Sequence, residues 1–522
     1  MKKLIAFVFA ALSTMQLTAQ APTWADDVAP IFYANCTRCH NPSGIAPFSL
    51  MTYADAMQVT QNIQTSVQSR TMPPWPPDPA YQRFAHERLL SAQEIQTIVD
   101  WVDSGAVAGN LSQAPTPPVY TGNSQMPSPD MVSQMPLYTV NASADLYRCF
   151  VMPSGLANDE FITKVEVLPG NRSIVHHALI YQDVANTCVN LDNADPGPGY
   201  TSFGGVGSFT ATLVTGWVPG QGMYELPAGM GIRLLANTNI IMQIHYPAGT
   251  FNQLDSTQVR FTFASGTVRD VTLDPVLNYW SNLTNGPINI PPNATRTYHA
   301  QQAINADVTV LTVAPHMHLI GRTIKSYAID PNGDTIPFID IPDWNFHWQG
   351  FYNFRQLIRV PSGSVLHAEA FYDNTSNNPW NPSFPPIQVN AGEATNDEML
   401  VVYFAYMPYQ PGDENIIVDS TLISGEAEFI PPNLPVQTPQ LYAPYPVPAQ
   451  GVTTFSFFLP ESGQTAASVV DAQGRTVLVL SSGSMNAGFH QFQHDFTAMA
   501  AGTYFIRLEQ NGIVRTKPFV VN

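Results

Sequence analysis

The chain has 522 residues, so three or four domains are expected at roughly 150 residues each. Hydrophobic residues make up 44% and charged residues only 11%, and 46 prolines and 33 glycines leave few long helical patterns. This composition favours a β-rich, loop-heavy architecture. The formal net charge of −18 argues against a nucleic-acid partner, because phosphate binding needs a basic surface.

The first twenty residues are typical of an export signal. The basic start MKK precedes the apolar run LIAFVFAAL and the small residues TAQA, so cleavage is expected near Ala19 to Ala21. The apolar run is shorter than the ~20 residues that a membrane-spanning helix needs, and no later stretch qualifies. We therefore predict a signal peptide over 1–20 and a protein that is secreted or held at the cell surface.

The motif CTRCH, residues 36–40, is the first candidate cofactor site. Cys36 and Cys39 can form thioethers with haem vinyl groups, and His40 can bind the iron. The alternatives are a disulfide or a zinc site, but zinc needs further ligands at matching spacing and none appears nearby. The motif predicts one covalently bound haem c.

The second axial ligand of that iron is expected downstream. Met72 lies in the proline-rich loop SRTMPPWPPDP, where Pro73 and Pro74 restrict the backbone. A lone methionine is often core filling, but this one lies in a polar loop, and we favour it over His86 as the ligand.

The stretch LSAQEIQTIVDWVDSGA predicts a helix that closes this domain. Ser91 and Glu94 form a capping box, and Gly105 ends the helix. Its apolar residues recur at helical spacing: Ile95, Ile98, Val99 and Val102. With the haem motif and the methionine loop, this stretch makes residues 22–110 resemble a class I cytochrome c.

A polar, proline-rich linker, predicted over 111–124, follows. Beyond it, short apolar strands such as IIMQIHY, VRFTF and DVTVLTV alternate with Gly/Pro turns for about 300 residues. Helical periodicity is almost absent there. We therefore predict a mainly β fold with two tandem β-sandwiches, over 125–270 and 271–430.

Histidines and one methionine in this region are candidate metal ligands. His316 and His318 share a face of a strand, so both imidazoles can bind one metal. His176 and His177 would point to opposite faces and need a twist, bulge or strand end to converge. Taken alone, each motif could also consist of ordinary core or surface residues. Imidazole and thioether donors in an exported protein suit copper.

The order of these motifs resembles the copper type II, ascorbate-dependent monooxygenases, which include peptidylglycine hydroxylating monooxygenase and dopamine β-monooxygenase. The series is HH, Q-x-H-Y, H-x-H-L-x-G and D-E-M, and the segments DLYRCFVMP, GWVPGQGMYELPAGMGIRL and ATNDEMLVVYFAYM extend the likeness over residues 125 to 430. The resemblance implies an enzyme that hydroxylates a C–H bond with dioxygen and two coppers. One copper, for electron transfer, would be bound by His176, His177 and His245, and the other, for oxygen activation, by His316, His318 and Met399.

The same resemblance bears on residues around the metals. Cys149 and Cys188 match cysteines near the first copper, and we predict a disulfide between them that stabilises by ~3 to 4 kcal/mol. Gln243 matches a glutamine of the peptidylglycine branch, and Tyr403 is kept as a candidate substrate or electron-path residue, although a tyrosine on a strand is also an ordinary core residue.

Two departures from the peptidylglycine branch concern the substrate. Ala314 stands where that branch has the arginine that binds its substrate carboxylate, and Val401 replaces an asparagine. Peptide amidation is therefore disfavoured, and a less polar small organic substrate is expected.

The haem domain suggests a built-in electron donor for the copper that has three histidine ligands. Covalent linkage raises the effective concentration of a donor without tight docking. An external reductant, ascorbate-like or another cytochrome, would supply the haem. The alternative is a non-catalytic electron-transfer or copper-binding surface protein.

Residues 438–522 form a last short-strand pattern. The segment AAGTYFIRL and the terminal KPFVV resemble the C-terminal sorting domain of the type IX secretion system, although the usual Y-P-N-P-A is here YPVPA, with Val447 in place of asparagine. The alternative is a small adhesive β-sandwich. The resemblance implies the type IX secretion machinery as a partner. The remaining histidines are expected to be structural or surface residues: His299, His347, His367, His490 and His494.

Overall fold

The computed structural model describes residues 21–42, 44, 46–120, 124–203, 205–419, 439–441, 449, 452–459, 462–471, 473–486, 488–497 and 499–521. The predicted signal peptide and most of the YPVPA motif lie outside these ranges. The described residues divide into two compact units, one formed by 21–73 and 90–120 and the other by 74–89 and the residues from 124 onward. Among them, no helix combines the length and hydropathy that a bilayer crossing requires.

The first unit is helical. A π-helical turn over Trp24–Val28 leads into helices α1 (Ala29–Asn35), α2 (Tyr53–Met57), α3 (Thr60–Gln68) and α4 (Ala92–Asp103). The capping box that the sequence predicts is present, because Glu94 N donates to Ser91 Oγ at 3.2 Å and Ser91 N donates to Glu94 Oε2 at 2.7 Å. Trp24, Phe32 and Trp101 are fully buried in its core.

The segment 74–89 belongs to the second unit, although the sequence placed it inside the 22–110 domain. Phe84 is fully buried, forms a β-bridge with Phe354 and stacks on its ring at 5.5 Å. Ala85 N donates to Asn353 O at 2.8 Å, and Asp78 N donates to Asp340 O at 2.8 Å. The segment leaves the helical unit because its aromatic side chain is buried in a β-sandwich core.

Two sheets enclose the first β-core. One has the strand order β1-β12-β4-β9-β13, with β8 paired to β4, the other has the order β6-β3-β10-β5-β7, and β11 pairs with β2. Val165, Ile180 and Val259, from both sheets, are buried together. The elements are β1 (Met131–Gln134), β2 (Tyr138–Ala142), β3 (Leu146–Pro153), β4 (Glu160–Leu168), β5 (His177–Asp183), α5 (Thr187–Ala194), β6 (Tyr200–Thr201), β7 (Thr212–Trp217), β8 (Tyr224–Glu225), β9 (Met230–Leu234), β10 (Asn239–Tyr246), β11 (Thr250–Asp255), β12 (Gln258–Phe263) and β13 (Arg269–Asp270).

The second β-core lies between the sheets β14-β23-β17-β20 and β16-β21-β18-β19, and β15 pairs with β22. One face of the first of these sheets packs against the neighbouring sandwich, since Leu273, Leu311 and Met407 are buried in that core. The strands are β14 (Thr272–Asn278), β15 (Asn289–Ile290), β16 (Ala294–Ala303), β17 (Val308–His316), β18 (Gly321–Ile329), β19 (Thr335–Ile341), β20 (Tyr352–Val360), β21 (Val365–Asn374), β22 (Val389–Asn390) and β23 (Val401–Pro408), followed by a 3-10 turn over Asp413–Asn415.

The C-terminal region has its own β-core, which contains Phe455, Phe457, Phe496 and Phe519. Its sheets are β24-β25-β28 and β27-β26-β29-β30. The strands are β24 (Gln440–Leu441), β25 (Val452–Leu459), β26 (Gly463–Asp471), β27 (Thr476–Met485), β28 (Gly488–Asp495), β29 (Gly502–Gln510) and β30 (Ile513–Val521).

Candidate metal centres

Three histidines meet at one end of the sheet that contains β5 and β10. His177 is the first residue of β5, His176 precedes it, and His245 on β10 lies opposite His177 in the strand register. One ring nitrogen of each lies within 4.8 Å of the others. The Nδ1 atoms of the adjacent pair lie 3.3 Å apart. The two rings can converge because β5 begins at His177, so His176 lies outside the strand and its side chain need not point to the opposite face.

The environment of His176 and His177 favours neutral imidazoles. Burial and the proximity of His245 together lower the pKa of His176 to about 3. Burial also lowers the pKa of His177 well below its ordinary value. His245 Nδ1 is buried without a hydrogen-bond partner among the described residues, and its Nε2 lies 3.3 Å from Asp145 Oδ1. Unpaired buried nitrogens are costly unless a ligand takes them, so the set fits a metal that accepts nitrogen donors.

The second set lies at the ends of two paired strands. His316 is the last residue of β17 and pairs with Val401 on β23, and Met399 lies two residues before Val401. His318 follows beyond the end of β17, and its ring centroid is 5.0 Å from that of His316, with the planes 85° apart. Met399 is 6% exposed. Burial lowers the pKa of His316 to about 4, so this imidazole is neutral as well.

Polar partners hold the rings of the second set. Gln349 Oε1 lies 2.6 Å from His316 Nδ1, and Asp397 O lies 3.2 Å from His318 Nδ1. These contacts occupy the Nδ1 atoms and leave both Nε2 atoms for a metal. The fully buried Glu398 accepts hydrogen bonds from His318 N, at 2.9 Å, and from Met399 N, at 3.2 Å. Two nitrogens and a thioether fit copper.

One cavity of about 520 Å³ is lined by His177 of the first set and by His316, His318 and Met399 of the second. Its charged residues are Asp274 and Glu393, and no lysine or arginine lines it among the described residues. Its walls are rich in aromatic side chains: Tyr147, Tyr181, Trp217, Tyr279, Trp280, Phe351 and Tyr403.

Gln243 and Tyr403, the two residues expected near a substrate or electron path, both line this cavity. Gln243 Nε2 donates to Gly205 O at 2.7 Å and to Ser202 O at 3.2 Å, so the amide also holds a neighbouring loop. Burial raises the pKa of Tyr403, which keeps its phenol neutral.

The haem ligands expected from the sequence lie in the helical unit. Cys36 caps α1, and Cys39 N and His40 N both donate to Cys36 O, so one turn presents two thiols and the imidazole. His40 Nδ1 lies 3.1 Å from Phe48 O, which leaves Nε2 free for iron. These residues fit a haem c. Met72 lies in the same unit. His86 lies in the other unit, where its ring Nδ1 is 3.4 Å from Asp419.

Cys149 and Cys188 are both fully buried in one small cluster with Tyr200 and Val206. Their thiols are free in this structure, and Cys188 Sγ donates to Val206 O at 3.5 Å. The disulfide between them stays a prediction.

The remaining histidines are mostly structural, with one exception. His367 stacks on Tyr327, His490 stacks on Phe457, and His299 and His494 lie outside both sets. His347 is exposed, yet its ring centroid is only 6.3 Å from that of His176.

Sequence reasoning missed several residues around the ligands. The ring of Phe346 packs against one histidine of each set. Its centroid lies 4.9 Å from that of His176 and 5.8 Å from that of His318. The loop that carries Phe346 and Gln349 has no strand periodicity that could have indicated it. Asp145, in the segment DLYRCFVMP, lies 3.3 Å from His245, and nothing in the local sequence indicates this contact.

Comparisons with known proteins agree with part of this picture. Residues 287–418 match the C-terminal domain of the copper type II ascorbate-dependent monooxygenases, and residues 443–522 match the secretion system C-terminal sorting domain. A tyramine beta-hydroxylase from Caenorhabditis briggsae is 22% identical over 284 residues, which cover 50% of this chain and 45% of that protein. The chain therefore spans less than half the length of this relative.

Solved structures are similar only at a low level. PNGase F, a glycosylasparaginase from Flavobacterium meningosepticum, has a TM-score of 0.25 and 13% identity, covering 54% of this chain and 97% of that chain. A beta-glucuronidase from Faecalibacterium prausnitzii has a TM-score of 0.11 and 13% identity, covering 44% and 37%. Scores this low carry no argument. The match over residues 287–418 supports a copper monooxygenase, and the match over residues 443–522 supports secretion or export to the cell surface.

Proposed function

We propose that the protein is an exported copper monooxygenase that hydroxylates a C–H bond of a small organic substrate. The observation that carries the proposal is that two separate sets of candidate ligands, one of three histidines and one of two histidines and a methionine, both contribute residues to a single cavity. A copper carrier would not need two sites of different ligand softness opening on one space.

Each set has its own role. His176, His177 and His245 would hold the copper that stores an electron, and His316, His318 and Met399 would hold the copper at which dioxygen reacts. Bound copper supplies one-electron redox chemistry and oxygen activation, and thioether ligation favours its reduced state. Gln349 and Glu398 orient the second set, and the aromatic walls keep bulk water away from the reacting C–H bond.

The reaction balances with an external reductant. The substrate R–H, dioxygen, two electrons and two protons give R–OH and water. One oxygen atom enters the broken C–H bond, and the other leaves as water. The electrons come from an ascorbate-like compound or another cytochrome and enter singly.

The cavity suggests the substrate class. Its two carboxylates and the absence of lysine and arginine among its described residues disfavour an anionic substrate. Ala314, which stands where the peptidylglycine branch has its carboxylate-binding arginine, lines the cavity. Aromatic rings favour an aromatic or cationic group through stacking and cation–π contacts. The name of the similar tyramine beta-hydroxylase describes hydroxylation of such an aromatic amine.

The helical unit would serve as the electron donor, with haem c held by Cys36, Cys39, His40 and Met72. His40 is suited to iron because its Nδ1 is already engaged by Phe48 O. A donor on the same chain reaches a high effective concentration without a tight complex. Export would use an N-terminal signal and the type IX secretion machinery, which the sorting domain would engage.

Metal content and oxygen use test the proposed function. The full chain would be matured with haem, loaded with copper, and assayed for copper per haem and for dioxygen uptake with ascorbate. We expect two coppers per haem and an uptake that is lost in His316→Ala and Met399→Ala but kept in the control His299→Ala. One copper or none per haem would favour a non-catalytic electron carrier. So would dioxygen uptake that is unchanged in His316→Ala and Met399→Ala.

A further inference from the structure

The segment 393–398 of the second sandwich contacts His318 directly and is connected to His245 through Asp145 and Tyr147. At one end, Asp397 O lies 3.2 Å from His318 Nδ1, and Glu398 Oε2 accepts from His318 N at 2.9 Å. At the other end, Glu393 and Thr395 meet residues of the first sandwich that touch His245. The segment is therefore placed to relate the geometry of the two sets.

Asp145, directly before β3 in the first sandwich, makes the central contact. Its Oδ1 lies 3.3 Å from His245 Nε2 and accepts from Ala248 N at 3.2 Å. Its Oδ2 accepts from Thr395 N at 3.2 Å and from the Thr395 hydroxyl. One carboxylate thus joins a histidine of the three-histidine set to the backbone and side chain of the second sandwich.

The burial of Asp145 suits this role. The side chain is 15% exposed. A carboxylate beside one nitrogen of an imidazole fixes the orientation of the ring and strengthens its other nitrogen as a metal ligand.

Tyr147 makes a second, parallel connection. Its ring stacks on His245 with centroids 4.4 Å apart and planes at 2°, and its hydroxyl donates to Glu393 O at 3.0 Å. His245 is therefore held at its edge by Asp145 and on its face by Tyr147, and both residues are tied to the same segment of the other sandwich.

We propose that Asp145 and Thr395 are positioning residues, and that they make the geometry of the three-histidine copper site depend on the docking of segment 393–398. The inference rests on the proposed function, because it takes His176, His177 and His245 as copper ligands. It goes beyond that function in giving the second sandwich control over the first copper site.

The test is copper binding and Cu(II) electron paramagnetic resonance on the full haem-loaded chain. The parent carries His316→Ala and His318→Ala, so that only the three-histidine set contributes a copper signal. We expect Thr395→Val to alter the Cu(II) hyperfine coupling and to weaken copper binding roughly 10- to 100-fold. Asp145→Asn should do the same, and Thr395→Ser, which keeps the hydroxyl, should retain the parent spectrum.

The matched control is Asp159→Asn, because Asp159 accepts from Ala236 N at 2.8 Å in the first sandwich, away from the histidines. It should leave spectrum and affinity unchanged. A copper signal that is identical in the parent, Thr395→Val and Asp145→Asn overturns the inference and leaves the proposed function standing. Absence of copper from this set in the parent overturns both. Thr395→Val decides the matter if Asp145→Asn does not fold, as judged by circular dichroism.

Discussion

At the scale of single residues, burial determines what the candidate ligands can do. Burial lowers the pKa of His177 and of His318 well below the ordinary value, so both rings are neutral, and a neutral ring presents a lone pair to a metal. A neighbouring acceptor then decides which nitrogen is available. Gln349 performs this role for His316, from a loop that no periodicity in the sequence indicates.

We expect Gln349→Ala to weaken copper binding at the second set by roughly 10- to 100-fold, because His316 loses the partner of its Nδ1. Titration of copper into the full chain, with spectroscopy to separate the two sites, would measure the change. Gln301→Ala is the control, since Gln301 lies 3.3 Å from the ring of His367, which belongs to neither set. Equal affinity in both variants would contradict the positioning role of Gln349.

Asp413 gives a second prediction at this scale, away from the metals. A bidentate contact with Arg269, at 2.6 and 2.9 Å, lowers its pKa to about 2, and Thr309 adds a hydrogen bond. The folded pKa lies below the ordinary value of 3.8, so this stabilisation is fully present above about pH 4 and is lost as the pH falls through about 2. It amounts to about 2 kcal/mol.

Asp413→Asn should therefore lower the free energy of unfolding by about 2 kcal/mol near neutral pH and flatten its decline below pH 4. Urea unfolding between pH 2 and pH 7 would measure both effects. Asp343→Asn is the control, because the pair of Arg322 with Asp343 leaves the aspartate side chain 81% exposed, and an exposed pair contributes little. If Asp413→Asn lowers the free energy of unfolding no more than Asp343→Asn does, the buried pair of Arg269 and Asp413 is not stabilising.

At the scale of elements, the points where strands begin and end place the ligands. His177 begins β5, His316 ends β17, and Met399 and His318 lie just outside strands. A side chain just outside a strand need not follow the alternation of faces within it. The adjacent pair His176 and His177 and the i, i+2 pair His316 and His318 can therefore both converge. The position of segment 74–89 has a different cause, because the burial of Phe84 in the core of the second sandwich determines it.

We expect Phe84→Ala to lower the stability of the second sandwich by about 3–5 kcal/mol, because it leaves a cavity where a fully buried ring packed. Denaturant unfolding followed by tryptophan fluorescence would measure it. Phe384→Ala is the control, since Phe384 is 89% exposed. A loss below about 1 kcal/mol would show that the segment adds no packing energy.

At the scale of the whole molecule, the chain joins a helical unit, two β-sandwiches that share apolar packing, and a sorting domain. The two sandwiches together build the cavity, and neither contains both sets of ligands. The helical unit places Cys36, Cys39 and His40 on a short turn after α1.

Electron delivery from the haem would follow from this organisation. After rapid mixing of the reduced, copper-loaded protein with dioxygen, we expect the haem to reoxidise at a rate that depends on the three-histidine set. His176→Ala should slow that reoxidation at least tenfold, and His299→Ala should not change it. Stopped-flow absorbance at the haem bands measures both. An unchanged rate in His176→Ala would assign the haem to another partner.

The sequence alone determined the character of the chain: a mainly β composition, a capping box at Ser91 and Glu94, and the order of the histidine motifs, because these depend on local spacing and residue type. It indicated which residues were candidates for each set. Only the tertiary structure decided that residues of both sets line one cavity and that residues 74–89 leave the helical unit. It also decided that Asp145, Phe346 and Gln349 lie beside the ligands and that Thr395 holds Asp145. These relations join residues far apart in the chain, and packing between sheets, which leaves no periodic trace in a single sequence, is what brings them together.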